Sequence, residues 1–299
     1  MKILLIGGGG QLGQTLINSA PQAIGNHSIE LISIYKKDLD LLDLSSCKKI
    51  VQELKPDFLI NAAAYTNVDA AESDYSNVFT VNASAPKAFA EAILKTRGKL
   101  IQFSTDYVFD GKSSRPYKLF DKKNPINIYG ESKSKGEDYI LDILSPSSQC
   151  FILRTSWLIS LYGNNFLLKM LKLLNEKDII KVVTDQISSP TTTTTLANSC
   201  WSLINRICLG DTPTQILHFT SFGLGSWYDL AQSIAEYGRE FGILTKPAKV
   251  IPINTTEYAL PAKRPSFSVL DLSESKQYLD IPVIYWRDSV KNLLKLLGH

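Results

Sequence analysis

The chain opens with a short apolar run that ends in four glycines, and this feature limits the fold more than any other. The run KILLIG is typical of a buried parallel strand, and QLGQTLINSA after the glycines has the spacing of a helix. Up to about residue 160 further apolar runs alternate with helical segments, and the predicted strands are IELISI, PDFLINAAA, KLIQFST and CFILRTSWLI. This alternation predicts an α/β fold with a doubly wound parallel sheet of the Rossmann type.

The pattern changes after about residue 160, where helical and extended segments mix and prolines gather in VIPINTTEYALPAKRP. We predict a dinucleotide-binding Rossmann domain over residues 1–160 and a smaller C-terminal α/β lobe, mainly for the substrate, over residues 161–299. The boundary is not expected to be clean. Segments around residues 180–215 are candidates for a return to the first domain.

Composition excludes several classes of function. The formal net charge of +3 over 299 residues gives no reason to expect nucleic acid or a membrane as a partner. The four cysteines show neither a CxxC pair nor the spacing of a disulfide framework, so we expect a reduced compartment, the cytoplasm. The apolar run at the start is too short for a signal peptide. The three histidines fall in no metal-type or Ser-His-Asp arrangement, so zinc and hydrolytic chemistry are not expected.

The glycine turn is the first candidate binding site. Gly7, Gly10 and Gly13 have a GxxGxxG spacing between the first strand and the first helix. Glycine permits a tight turn and a close approach of the backbone to a pyrophosphate, and the helix N-terminus favours the anion. Together with Gln11 and Leu12, these glycines are predicted to bind a dinucleotide.

The end of the second strand bears on the choice of cofactor. The acidic residue that would hold a ribose 2′-hydroxyl is not obvious there, and Tyr35, Lys36 and Lys37 occupy the place. A lysine could pair with a 2′-phosphate, which favours NADPH, but a solvated loop lysine explains the sequence as well. The predicted cofactor is therefore NADPH or NADH, with Lys36 as a candidate contact.

An aspartate followed by an apolar residue is expected beside the adenine. The stretch DLDLLDLSS offers two such pairs, Asp40 with Leu41 and Asp43 with Leu44. Both pairs stay candidates.

The stretch YGESK is the candidate site of proton transfer. Of thirteen tyrosines, only Tyr129 has a lysine four positions later, Lys133, which places both on one helix face. The stretch FSTDYVFDG puts Ser104, Thr105 and Asp106 at the end of the fourth strand, where ligands bind in open parallel sheets. A phenol has a pKa of about 10, and a nearby ammonium is expected to lower it. We predict that Tyr129 transfers the proton and that Thr105 hydrogen-bonds the substrate oxygen, while hydride moves between nicotinamide and carbon.

These motifs resemble the extended short-chain dehydrogenase/reductases and, more narrowly, the dTDP-4-dehydrorhamnose reductase family. The resemblance extends over nearly the whole chain, and it rests on NAAAYTNVDAAESD, FSTDYVFDG, PINIYGESKSKGE, LRTSWLIS, YGNNF, DQISSPT and PAKRPSFSVLD. The joint occurrence of NAAAYTNVDAAE and STDYVFDG is highly specific.

The resemblance implies an activity and a set of site residues. The expected reaction is NAD(P)H-dependent reduction of the 4-keto group of dTDP-6-deoxy-L-lyxo-4-hexulose to dTDP-L-rhamnose, with a small nucleotide-sugar substrate as the partner. The implied catalytic residues are Thr105, Tyr129 and Lys133. The residues implied to line the cofactor, besides Tyr129 and Lys133, are Ala62, Ala63, Ala64, Tyr65 and Thr66. The residues implied to contact the substrate are Thr66, Thr105, Asp106, Trp157 and, at its phosphates, Arg264.

The chain departs from the family at one feature. Some members bridge dimers through a divalent metal held by glutamates, and here Thr15 and Thr194 stand where two of those glutamates would lie. Threonine is a poor ligand for a hard cation. We therefore expect no structural metal, and the oligomeric state stays open, with a homodimer as one option.

Three other functions compete with this one. A nucleotide-sugar 4,6-dehydratase would carry a glutamate after the Thr-Asp pair, and Tyr107 follows here. A regulatory subunit of the methionine adenosyltransferase type would keep the dinucleotide fold without catalysis, and the intact set of Thr105, Tyr129 and Lys133 argues against it. Reduction of a different nucleotide 4-ketosugar stays open.

Overall fold

A parallel sheet of six strands forms the centre of the computed structural model, which describes residues 1–279, 282 and 284–298. The strands are, in chain order, β1 (Lys2–Ile6), β2 (Glu30–Ile34), β3 (Phe58–Asn61), β4 (Lys99–Thr105), β5 (Cys150–Thr155) and β6 (Ile216–His218). Their order across the sheet is β2-β1-β3-β4-β5-β6, and each neighbouring pair is parallel. The predicted Rossmann-type fold is confirmed.

The order of the strands fixes where a ligand can bind. The chain moves from β1 to β2 on one side and then from β3 towards β6 on the other. Connections of opposite direction leave a crevice at the carboxyl ends of β1 and β3. Gly7 follows β1, and Ala62 follows β3, so both predicted cofactor segments begin at this crevice.

Helices cover both faces of the sheet because its apolar residues alternate. Ile3 and Leu5 face one hydrophobic core, and Leu4 and Ile6 face another. The helices on the first face are Gln11–Asn18 and Thr193–Cys208. The helices on the second face are Leu44–Leu54, Ala85–Thr96 and Ile128–Leu144.

A second group of elements has a hydrophobic core of its own. Its helices are Phe166–Glu176, Trp227–Glu240 and Trp286–Lys295, and strands Ile179–Val183 and Lys249–Ile253 pair in parallel. The remaining helices are Val68–Ala71, Tyr75–Phe79 and Ser273–Tyr278, with single turns at Asp106–Val108, Ser145–Ser147 and Thr255–Glu257. The remaining short strands are Ala23–Ile24, His27–Ser28, Leu158–Ile159, Ile187–Ser188, Thr191–Thr192 and Gly225–Ser226.

Part of the C-terminal range lies against the sheet. Helix Thr193–Cys208 packs on helix Gln11–Asn18, and β6 pairs with β5 at the edge of the sheet. The division of the chain at residue 160, with a substrate lobe after it, therefore stays a proposal in which residues near 191–218 accompany the sheet.

Two predicted elements are interrupted. The long helix predicted from NVFTVNASAPKAFAEAILKTRG contains a π-helical segment, Thr80–Ser84, which separates Tyr75–Phe79 from Ala85–Thr96. The run CFILRTSWLI, predicted as one strand, ends as β5 at Thr155 because Trp157 has a φ of +44°. After this left-handed residue, Leu158–Ile159 pairs with Thr191–Thr192 instead of with the main sheet.

The glycine turn is built by close backbone contacts. Gly7 has a φ of +89°, and a Cβ there would lie 2.7 Å from the Ala63 nitrogen. A Cβ on Gly13 would lie 2.1 Å from the Gly7 carbonyl oxygen. Gly7 therefore lets β1 approach the segment after β3, and Gly13 lets the first helix pack directly on the turn.

We expect Gly13→Ala to destabilise the fold. The added methyl has no free space beside the Gly7 carbonyl, and overpacking of this kind costs about 1–3 kcal/mol. Urea unfolding should show the loss. Gly9→Ala is the matched control, since a Cβ there would make only an ordinary 3.5 Å contact with Tyr35. Equal unfolding midpoints for the two variants would contradict the packing argument.

Candidate active site

A large cavity of about 970 Å³ opens at the carboxyl ends of the strands. It brings together most of the predicted site residues, namely Gly7, Gly10, Gln11, Leu12, Lys36, Asp40, Leu41, Ala62, Ala63, Ala64, Tyr65, Thr66, Thr105, Asp106, Tyr129, Lys133, Trp157 and Arg264. The predicted residues outside its lining are Gly13, Asp43 and Leu44. Its volume is at the upper end of the range usual for small-molecule sites.

Asp43, in the second of the two candidate Asp-Leu pairs, caps the helix that follows it. The Asp43 carboxylate caps the helix Leu44–Leu54 by accepting hydrogen bonds from the Ser45 and Ser46 amides at 3.0 and 3.1 Å. The Ser45 and Ser46 hydroxyls also donate to it, and these bonds lower the pKa of Asp43 to about 2. Of the two Asp-Leu pairs, only Asp40 with Leu41 lines the cavity.

The glycine turn presents backbone amides to the cavity. The first helix begins at Gln11, and its N-cap is Gly10, which has no side chain to accept hydrogen bonds from the first amides. Four N–H groups at a helix start lack partners within the helix, and they favour an anion. Gly10 is extended, with φ −75°, and a Cβ there would meet only the Gly7 oxygen at 3.4 Å. The turn therefore fits a pyrophosphate.

The far end of the cavity carries the side chains that follow β2. Tyr35, Lys36 and Leu39 line it beside Asp40, whereas Lys37 lies outside the lining. Lys36 is exposed, so its ammonium is free to meet a phosphate on a ribose.

Asn82 anchors the segment after β3. It is 2% exposed, accepts a hydrogen bond from the Tyr65 amide at 2.9 Å and donates to the Tyr65 carbonyl at 3.0 Å. It also donates to the Ser132 hydroxyl at 3.0 Å, which ties the segment to the helix that carries Tyr129. Sequence reasoning missed Asn82. A buried amide within the apolar run FTVNASAP was its only signal.

The helix Ile128–Leu144 carries Tyr129 and Lys133 into the cavity. Its N-cap Asn127 accepts a hydrogen bond from the Gly130 amide at 2.7 Å. A Cβ on Gly130 would lie 2.2 Å from the Tyr107 carbonyl oxygen, so the glycine lets the first turn press against the loop after β4. The rings of Tyr107 and Tyr129 then meet edge to face at 5.9 Å.

Burial sets the pKa values of the two central groups. It raises the pKa of Tyr129 to about 12, and the Thr105 hydroxyl opposes the rise. Burial lowers the pKa of Lys133 to about 8, and the Glu137 carboxylate opposes that change. The prediction that Lys133 lowers the Tyr129 pKa is wrong in this structure. The Lys133 ammonium donates to the Phe103 carbonyl at 2.7 Å, and burial dominates the phenol.

Thr105 and Asp106 are joined by hydrogen bonds. The Thr105 hydroxyl donates to the Asp106 carboxylate at 3.0 Å and accepts from the Tyr107 amide at 3.2 Å. Asp106 is 2% exposed and also accepts from the hydroxyls of Ser268 at 2.5 Å and Ser188 at 3.4 Å. Burial outweighs these bonds and raises the pKa of Asp106 to about 6.

Two tryptophans, Trp157 and Trp227, line the cavity as a stacked pair. Trp157 stacks on Trp227 with ring centroids 3.6 Å apart and an interplanar angle of 9°. The Trp227 indole donates to the Gln186 side chain at 3.2 Å. Trp157 is held in a left-handed conformation, a type of strain that is concentrated at functional sites. Sequence reasoning missed Trp227 and Gln186, because no spacing links them to Trp157.

Comparison with known proteins identifies the family. Residues 1–298 match the family described as the RmlD substrate binding domain. The chain belongs to this family. A dTDP-4-dehydrorhamnose reductase of Aggregatibacter actinomycetemcomitans is 38% identical over 98% of each chain. A crystal structure of a dTDP-4-dehydrorhamnose reductase from Clostridium acetobutylicum has a TM-score of 0.89 at 35% identity over 100% of both chains. One from Bacillus anthracis, in complex with NADP, has a TM-score of 0.87 at 31% identity over 98% of both chains.

The two threonines considered as replacements for metal-binding glutamates, Thr15 and Thr194, differ in exposure. Thr15 is buried, and its hydroxyl donates to Thr193 at 2.8 Å, whereas Thr194 is exposed. Within residues 1–279, 282 and 284–298, no group of three or more His, Cys, Asp or Glu side chains could hold a metal ion. In the same part of the chain, no helix is both long and apolar enough to cross a bilayer.

We expect Gly10→Asp to fold normally and to bind NADPH much more weakly. The extended backbone accepts a side chain, but the carboxylate would meet the pyrophosphate at the helix start with like charge. A fluorescence titration with NADPH measures the effect, and Gly10→Ala is the control for the added methyl. Unchanged affinity in Gly10→Asp would place the pyrophosphate elsewhere.

Proposed function

We propose that the protein reduces the 4-keto group of dTDP-6-deoxy-L-lyxo-4-hexulose, that is dTDP-4-dehydrorhamnose, to dTDP-L-rhamnose with NADPH or NADH. The observation that carries this proposal is that Thr105, Tyr129 and Lys133 line one cavity with the glycine turn. Full-length relatives with this reductase name, one of them in complex with NADP, support it.

The proposed cofactor contacts follow the length of the cavity. The amides that open the first helix would hold the pyrophosphate, and Lys36 and Asp40 would face the adenosine end. The segment Ala62–Thr66, fixed by Asn82, would lie along the nicotinamide half. Bound NADPH or NADH supplies the hydride for the sugar carbon. Lys133 would hold the hydroxyls of the cofactor ribose.

Tyr129 would donate the proton to the substrate oxygen. Its pKa of about 12 keeps the phenol protonated at neutral pH, which a donor in a reduction requires. Thr105 would orient the same oxygen. The Thr105 hydroxyl has one proton, so it would donate to the substrate only by turning that proton away from Asp106. The Asp106 carboxylate would still accept hydrogen bonds from the Ser188 and Ser268 hydroxyls.

The substrate would occupy the side of the cavity formed by the second core. The Trp157–Trp227 stack offers a flat apolar wall for a sugar face, and Arg264 offers the positive charge for a diphosphate. All these residues come from one chain, so the reaction is compatible with a monomer and with a homodimer. We place the reaction in the cytoplasm, in line with four cysteines that are free thiols.

We expect the pure protein to oxidise NADPH when dTDP-4-dehydrorhamnose is added, and Tyr129→Phe to lower kcat about 10²–10⁴-fold. The variant keeps the ring but loses the proton. Reactions quenched at a series of times give the rate, and NMR of the product identifies the sugar formed.

Tyr139→Phe is the matched control, because Tyr139 lies on the same helix with its ring against Lys87 and Lys135, away from the cavity lining. A near-normal kcat in Tyr129→Phe would remove Tyr129 as the donor. A product other than dTDP-L-rhamnose would favour another 4-ketosugar, and no NADPH oxidation would favour a non-catalytic regulator.

The pH profile of kcat/KM should be flat between about 6 and about 8. Below about 6, Asp106 gains a proton and loses the carboxylate that arranges Thr105 and its neighbours. Above about 8, Lys133 loses its ammonium charge, while Tyr129 with a pKa of about 12 is still protonated. Rates from pH 4.5 to 10 give the profile. If kcat/KM still falls below pH 6 in Asp106→Asn, a group other than Asp106 causes that fall.

A further inference from the structure

The segment Asn67–Glu72, whose sequence is NVDAAE, follows the proposed cofactor segment and lies at the rim of the cavity. Helix Val68–Ala71 begins there, with Asn67 as its cap through a 3.2 Å hydrogen bond from the Ala70 amide. Asp69 and Glu72 are three residues apart, so both carboxylates leave the same side of the helical turn. Each one reaches a different part of the active site.

Glu72 holds the start of helix Ile128–Leu144, which carries Tyr129 and Lys133 and is called the catalytic helix below. The Ile128 amide, the first of that helix, donates to the Glu72 carboxylate at 2.9 Å. The first amides of a helix have no partners within it. A carboxylate from another element can therefore fix the position of the helix start, and its negative charge interacts favourably with the positive end of the helix dipole. Tyr129 is the next residue. A shift of the Ile128 amide therefore moves the phenol directly.

Asp69 holds Arg264 in a forked ion pair. Its two oxygens accept from the guanidinium at 3.1 and 2.7 Å, and the Ala262 amide donates to it at 3.3 Å. The hydrogen bonds from Arg264 hold the pKa of Asp69 below its usual range. Arg264 also donates to the Ala262 carbonyl at 3.1 Å. The guanidinium has five N–H donors, so donors stay available for a ligand beyond these contacts. Arg264 lines the cavity with its side chain 16% exposed.

A third contact closes the arrangement. The Asn127 side chain, while it caps the catalytic helix, donates to the Lys263 carbonyl at 2.7 Å. Three segments distant in sequence therefore meet at one place, and each holds the other two: Glu72 to Ile128, Asn127 to Lys263 and Asp69 to Arg264.

We propose that Asp69, Glu72 and Asn127 form a rim clamp in which Glu72 positions Tyr129 for proton transfer and Asp69 positions Arg264 for the substrate diphosphate. The inference rests on the proposed function and assigns positioning residues to that site. It assigns different roles to the two carboxylates of the NVDAAE motif: Glu72 affects kcat, and Asp69 affects the affinity for the nucleotide.

The Glu72 half of the clamp is tested by a pair of substitutions. Glu72→Ala should lower kcat about tenfold with the NADPH Kd and the sugar KM within about twofold, because it frees the Ile128 amide. Glu72→Gln should keep most of the rate, since its amide oxygen still accepts that hydrogen bond. Hydrogen exchange of the amides from Ile128 to Gly130 should be about tenfold faster in Glu72→Ala and near wild type in Glu72→Gln.

The Asp69 half is tested by nucleotide binding without turnover. Asp69→Asn should raise the calorimetric Kd of dTDP about five- to tenfold, because it loses the charged fork that preorganises Arg264. Its kcat at saturating sugar should stay within about twofold. A lower Kd for dTDP would overturn this half, since Asp69 would then compete with the diphosphate.

The control and the outcomes complete the design. Glu53→Ala removes an exposed carboxylate from another helix and should match wild type in every measurement. Glu72 is exposed, so its variants should fold, and melting temperatures check this. Wild-type kcat and exchange in Glu72→Ala, or equal defects in Glu72→Ala and Glu72→Gln, would overturn the clamp. If wild type itself does not reduce the sugar, the proposed function fails, while exchange and dTDP affinity still decide the clamp.

Discussion

The buried ion pair between Glu137 and Arg154 is the interaction on which the active-site side of the sheet depends. Both side chains are at most 2% exposed, and Arg154 makes a forked contact with Glu137 at 2.9 and 2.7 Å. Removal of one partner would leave a buried charge, which typically costs about 3–5 kcal/mol. The remaining polar atoms are occupied, since Ser104 donates to Glu137 at 2.6 Å and Arg154 donates to the Leu119 carbonyl at 3.0 Å. The pair thereby joins the catalytic helix to the ends of β4 and β5.

This anchor acts together with two glycine contacts to set where Tyr129 can lie. A Cβ on Gly136 would be 2.3 Å from the Asn82 carbonyl, and a Cβ on Gly130 would be 2.2 Å from the Tyr107 carbonyl. The helix is therefore packed against backbone at two places, at the residue just before Glu137 and in its own first turn. Asn82 also holds the segment after β3, so the proposed cofactor contacts and the proton donor share one rigid support.

The sequence was sufficient for the features that local chemistry decides. Apolar runs that alternate with helical segments predicted the strands, and the spacing of Gly7, Gly10 and Gly13 predicted the turn between the first strand and the first helix. It was not sufficient where distant parts of the chain meet. The π-helical segment that places Asn82, the left-handed backbone of Trp157 and the stack with Trp227 all depend on tertiary packing. The cap that Asp43 forms on helix Leu44–Leu54 likewise became visible only in the structure.

The error about Tyr129 shows what burial does in this site. One physical effect moves three groups, because it disfavours charge wherever it occurs: it raises the pKa of Tyr129 and Asp106 and lowers that of Lys133. At neutral pH the phenol therefore keeps its proton and Lys133 keeps its charge, which is the state that a reduction needs at its start. If Tyr129 gives up the proton, as proposed, a phenolate is left in the same buried place, where it is costly. The Lys133 ammonium does not offset that cost in this structure, because it donates to the Phe103 carbonyl at 2.7 Å, and Glu137 helps Lys133 to keep its charge.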